Sequence, residues 1–197
     1  MAYGINAPFG LVPFSYFGST GWNGGFQEMP FLATTANSMY RGDLVTYAAG
    51  VLVQYIAGTT PTGTAGVFIG CRYQDTNGIW QFSKYWPQGT AVAAGTQPIA
   101  QVITDPNTIF TIQSAGTLIV TNVDFNCEIS GAGNPYAGNT ATGLSVMSLS
   151  VTPATTATLP LRIIGVDPTP GNAFGVQFNN ALVVINTSAF KAGTLGV

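Results

Sequence analysis

Histidine is absent from all 197 residues, and charge is nearly so, with five Lys and Arg against seven Asp and Glu. Only 6% of the chain is charged, where a globular domain carries about 25%. Without imidazole, the commonest zinc and copper ligand and the usual general base at neutral pH are missing together. Five scattered cations on a chain of net charge −2 cannot displace many counterions, so binding nucleic acid through its phosphates is not expected. Cysteine is scarce as well. Cys71 and Cys127 make no disulfide framework and match no metal spacing, and they read as buried apolar thiols. No apolar run reaches the roughly 20 residues needed to cross a bilayer. Met1-Ala2-Tyr3-Gly4 lacks the basic start and apolar core of a secretory signal. No membrane partner is expected.

What is present is apolar: 46% hydrophobic and 12% aromatic residues, too much for a disordered chain. Solubility normally rests on interspersed charge, so a surface this poor in it points to a subunit that lies against partners. Length suits one large domain or two small ones.

Helical periodicity is nearly absent, whereas short β-branched and aromatic runs are punctuated by Gly, Pro, Asn and Asp. That pattern predicts an all-β barrel or sandwich of short antiparallel strands. Candidate strands are Asp43–Tyr47, Val51–Ile56, Gly66–Tyr73, Ile79–Phe82, Gln97–Ile103, Thr108–Gln113, Leu118–Val123, Val146–Val151, Leu161–Val166 and Ala181–Asn186. Asn77-Gly78 marks the best hairpin, with both turn positions expected at positive φ, and Ala48-Ala49-Gly50 a second.

Residues 1–40 differ in kind from 41–197. Phe9, Phe14, Tyr16, Phe17, Trp22, Phe26 and Phe31 are interleaved with Pro8, Gly10, Pro13, Gly18, Gly21, Gly24, Gly25 and Pro30. Glycine and proline at that density should prevent any regular element, yet the rings must leave water. Either the segment is an irregular coil packed on its own domain, or it is an extended arm laid over a neighbouring subunit. The division adopted is an N-terminal arm over 1–40 and a single β-rich domain over 41–197. Deleting residues 1–30 should then leave the domain folded.

Catalytic templates fail one by one. Ser83 and Lys84 are neighbours, so on a strand they face opposite ways. Asp75, Asp105 and Asp167 sit beside Asn, Gly and Pro, where an aspartate caps its own turn. Asp124 and Glu128 flank Cys127 but lack the dense acidic loop of a calcium site. No catalytic residue, metal ligand or cofactor site is assigned. The run Ile79-Trp80-Gln81-Phe82-Ser83-Lys84-Tyr85-Trp86-Pro87 is more informative, with Trp80, Phe82 and Lys84 on one face of a strand that Pro87 stops. Its rings could cap the end of a barrel, pack on the N-terminal coil, meet another subunit, or form a platform for sugars.

Several phrases, taken in order, resemble a family of tailed-bacteriophage head proteins that decorate or cement the capsid. They are Arg41-Gly42-Asp43-Leu44-Val45, Gly66-Val67-Phe68-Ile69-Gly70-Cys71-Arg72-Tyr73, Phe82-Ser83-Lys84-Tyr85-Trp86-Pro87, Asp105-Pro106-Asn107-Thr108-Ile109-Phe110, Leu161-Arg162-Ile163-Ile164-Gly165-Val166, and Asn172-Ala173-Phe174-Gly175 followed by Val183-Val184-Ile185-Asn186. The resemblance implies a non-enzymatic virion subunit on the outer surface of an icosahedral shell. Its partners would be the major capsid protein and copies of itself, commonly as a homotrimer. Phe14, Tyr16, Phe17, Trp22, Phe26, Tyr85 and Trp86 are the expected contacts with the coat or a neighbour. The alternative is a receptor- or glycan-binding head-fibre or tail-associated protein, for which Trp86 would be the sugar-stacking residue.

Overall fold

The computed structural model describes residues 4–18, 21–35, 37–58, 63–131 and 136–191. Over these the chain is all-β, with antiparallel sheets arranged as a sandwich. One sheet has the strand order β1 (Val12–Tyr16), β8 (Thr108–Gln113), β15 (Asn180–Ile185), β14 (Leu161–Val166), β9 (Asn126–Cys127). The other runs β2 (Gln27–Pro30), β7 (Ile99–Ile103), β5 (Thr64–Gln74), β3 (Leu44–Ala48), β4 (Val51–Gln54). Its sixth strand, β6 (Trp80–Ser83), also pairs with β5. At 11 residues, β5 is long enough to pair with β3 near its start and β6 near its end. Two small ladders complete the set: β10 (Ile129–Ser130) with β13 (Ser148–Leu149), and β11 (Gly138–Asn139) with β12 (Leu144–Ser145).

The expected strands at Thr108–Gln113 and Leu161–Val166 coincide with β8 and β14. Leu118–Val123 does not form a strand. Val120–Asn122 is a 3-10 turn there, because Asn122 Oδ1 accepts the Ile119 N–H at 2.8 Å and bends the backbone out of the extended state. Both expected hairpins form. Ala49 and Gly50 lie at φ 49° and 78°, as a primed turn requires. In the β5–β6 turn only Gly78 is at positive φ, at 78°, because Asp75 Oδ1 takes the N–H groups of Asn77 and Ile79 and sets a longer turn.

Side chains alternate across a strand, and the central strands β3, β5 and β7 of the six-stranded sheet bury side chains on both faces, whereas β6 is exposed at Trp80 and Phe82. Leu44, Val67 and Ile103 face Phe110, Ile112, Leu161, Ile163, Ala181, Val183 and Ile185 of the five-stranded sheet in the larger core. The alternate residues Val45, Phe68, Ala100 and Val102 form a second core on the far side. Phe31 and Met39, which precede β3, and Trp86, which follows β6, cover it. Trp86 packs edge-on against Phe31 and Tyr73, at centroid separations of 5.0 and 5.3 Å.

The expectation that residues 1–40 hold no regular element is corrected at two places. Val12–Tyr16 pairs with β8 and Gln27–Pro30 with β7, so the segment supplies an edge strand to each sheet. Edge positions tolerate Pro13 and Pro30, since proline there forfeits no ladder bond. Between Gly10 and Gly42 the backbones cross closely, with Leu11 N donating to Gly42 O at 2.8 Å. A Cβ at Gly10, itself at φ +73°, would strike Gly42 O and Ser145. Leu11 and Met29 are buried in the two cores. Removing residues 1–30 therefore strips both sheets, and the remainder is not expected to stay folded.

Candidate interaction surface

The five-stranded sheet buries only one face completely. Its outward residues follow from the register: Ile109, Thr111 and Gln113 on β8, Leu182 and Val184 on β15, Arg162 and Ile164 on β14. Residues near the N-terminus cross one end of this face. Ala7 N donates to Gln113 Oε1, and Gln113 Nε2 donates to Ile5 O, at 2.8 and 3.1 Å. Among the described residues the other end forms a cleft of about 420 Å³ lined by Phe17, Asn107, Arg162, Ile164, Val184 and Lys191, among others. Arg162 and Asp124 meet at 2.6 Å across it, both substantially exposed.

Phe17 (55% exposed) stands over this cleft, and Phe14 (41%) lies at the bulge of β1, the edge strand of the same sheet. Two of the expected contact residues are thus brought to one exposed sheet face. Tyr16 is half-buried and its hydroxyl donates to Asn23 Oδ1 at 2.8 Å. Phe26 is exposed just before β2. Trp22 turns inward against the larger core, and Tyr85 stacks on Tyr40 at 5.4 Å with the rings parallel. Trp86 has no exposed surface at all. Its place among the contact residues, and as a sugar-stacking ring, is corrected: it covers the second face of the six-stranded sheet. Packing on the N-terminal segment, one of the readings open to this cluster, is what Trp86 does with Phe31.

A second exposed apolar patch lies on the β5–β6 hairpin, at Ile79, Trp80 and Phe82. Trp80 already has a partner, since the Arg72 guanidinium sits 4.9 Å over its ring. Arg72 in turn forks onto Glu28 at 3.0 and 2.8 Å and holds that carboxyl below its ordinary range.

The remaining acids are spoken for locally. Asp75 accepts three hydrogen bonds across its turn, Asp105 takes the Asn107 N–H, and Asp167 takes the Thr169 N–H and hydroxyl. Turn capping, the role expected of all three, is what they perform. Asp124 pairs with Arg162, while Glu128 accepts from Tyr55 and from the N–H groups of Gly58 and Ile129, so the two do not share a cage. Among the described residues no group of three or more Cys, Asp or Glu converges on a point where a cation could sit. Cys71 and Cys127 are free and buried, as expected, and burial pushes each thiol up to about 12.

Ile164, Val184 and Arg162 are site residues that the sequence reading did not single out. Their signal was present: Leu161–Val166 and Asn180–Ile185 carry apolar residues on both faces of the strand, where a half-solvated strand would alternate. No family model, curated protein or solved structure matches the chain.

Proposed function

We propose that this chain is a non-enzymatic structural subunit of a virion, one that decorates or cements the outer face of a tailed-phage capsid. The observation that carries the reading is the unequal burial of the two sheets. Among the described residues the central strands of one are covered on both faces, while the other carries the exposed rings Phe14 and Phe17 and a cleft that half-buried Ile164 lines. With 6% charge, the surface holds few ionised groups, and a partner that covers the cleft end removes apolar area at about 25 cal/mol per Å². The ordered phrases from Arg41 to Asn186 that resemble decoration proteins support the same assignment. The major capsid protein and neighbouring copies, as in a homotrimer, are the partners this reading requires. A clamp of this kind stabilises the shell because it binds the assembled state in preference to free coat subunits. Many weak copies on one lattice act together, so avidity replaces single-site affinity.

The test is quantitative mass spectrometry of virus particles purified from the source of the sequence. Hundreds of copies per particle support the proposal. A dozen or fewer point to the head-fibre or tail-associated alternative, and they overturn it, as does absence.

A further inference from the structure

Asp43, the residue before β3, is fully buried, and Gln54 at the end of β4 is 1% exposed. Asp43 Oδ2 accepts from Tyr40 N at 2.8 Å and from Gln54 Nε2 at 2.7 Å. The same Nε2 donates to Tyr136 O at 3.0 Å, so both of its hydrogens are used. The other oxygen of each residue, Asp43 Oδ1 and Gln54 Oε1, is buried without a hydrogen-bond partner. A buried acceptor left unpaired is destabilising. Here two of them belong to one hydrogen-bonded pair, and a single proton set between them would serve both.

We propose that Asp43 and Gln54 form a buried proton-binding site, in which protonated Oδ1 of Asp43 donates to Oε1 of Gln54 and closes an acid–amide pair. The proton comes from water, and no other bond is made or broken. The surroundings leave this role open. Tyr40 contributes its N–H, Tyr136 its carbonyl to Gln54, and β5 the Phe68 N–H to the Asp43 carbonyl. The titratable groups nearby are the phenols of Tyr40 and Tyr136, and Arg41 is exposed. Neither ion pair among the described residues involves Asp43. The Ser145 hydroxyl on β12 is directed at the same carboxyl and favours its ionised form.

Burial nonetheless outweighs Ser145, the Tyr40 N–H and Gln54, and raises the Asp43 carboxyl from its ordinary 3.8 to about 6. The folded chain therefore keeps a proton that the unfolded chain has released between those values. The stability this contributes is complete below about pH 4 and is lost as pH rises through about 6. Mild acid should tighten the junction of Tyr40, β4 and the Tyr136 loop.

The direct test follows the Asp43 carboxyl carbon by NMR in the wild-type chain. A midpoint near 6 is expected, and a midpoint at or below the ordinary carboxylate value overturns the proposal. Asp43→Asn supplies the missing donor permanently, since its amide can give a hydrogen to Gln54 Oε1 and still accept from Tyr40 N. Its melting temperature should equal the wild type's in mild acid and exceed it in mild alkali. A variant that melts below the wild type in mild alkali contradicts the proposal. Should Asp43→Asn fail to fold, the carbon titration still decides the matter.

Discussion

The two sheets of this sandwich are built from similar strands and differ in what covers them. The six-stranded sheet is closed on its far side by Phe31, Met39 and Trp86, all fully or almost fully buried. The five-stranded sheet shares the larger core, and among the described residues its outer face is crossed at one end by the backbone around Ile5 and Ala7, with Thr111, Gln113 and Val184 buried and Ile164 and Arg162 half-buried. The same residue types have opposite fates: Trp86 has no exposed surface, whereas Phe14 and Phe17 keep about half of theirs. Aromatic content alone does not mark a contact surface. What marks it is an apolar ring beside a sheet face that the chain leaves uncovered.

The largest effect expected from breaking this comparison is deletion of residues 1–30. It removes an edge strand from each sheet together with Leu11 and Met29, so cooperative thermal unfolding by circular dichroism should disappear. A sharp transition in the truncated chain would show that 31–197 folds without the two edge strands. Next comes Trp86→Ala, which empties the cover of the six-stranded sheet. By the usual cost of deleting a buried Trp it should destabilise by about 3–5 kcal/mol in denaturant titration. The double substitution Phe14→Ser and Phe17→Ser should do the reverse. Each change should shift stability by no more than about 0.5 kcal/mol, while binding to particles falls at least about tenfold, or ~1.4 kcal/mol, in co-sedimentation. Smallest of all is Asp124→Asn, which breaks an exposed pair with Arg162 and should cost under about 1 kcal/mol. Because Phe14 and Phe17 are taken to carry the contact, particle binding should persist between about 0.1 and 1 M salt, well beyond the screening range.

Much of the fold could be read from local pattern. Thr108–Gln113 and Leu161–Val166 show themselves by β-branched and aliphatic runs between turn residues, and Asp75, Asp105 and Asp167 disclose their turns by the neighbours they cap. β1 and β2 stayed hidden because Pro13 and Pro30 argue against a strand unless the strand is known to lie at an edge, and edge position is a tertiary fact. The short ladder at Asn126–Cys127 depends on a partner distant in sequence, and the local one of Gly138–Asn139 with Leu144–Ser145 is too short to leave a periodic trace. Of the site, Phe14 and Phe17 were legible as rings in need of cover. The burial of Trp86 was not, because it is set by Phe31 and Tyr73 arriving from two other segments.

On the proposed function, the cleft end of the five-stranded sheet should be covered in the assembled particle. Hydroxyl-radical footprinting of the isolated chain and of the particle tests it most directly. Phe14 and Phe17 should lose most of their labelling on assembly, while Phe82, 74% exposed on the β5–β6 hairpin, keeps its own. Equal labelling of Phe14 and Phe17 in both states, or protection confined to Trp80 and Phe82, would contradict the account.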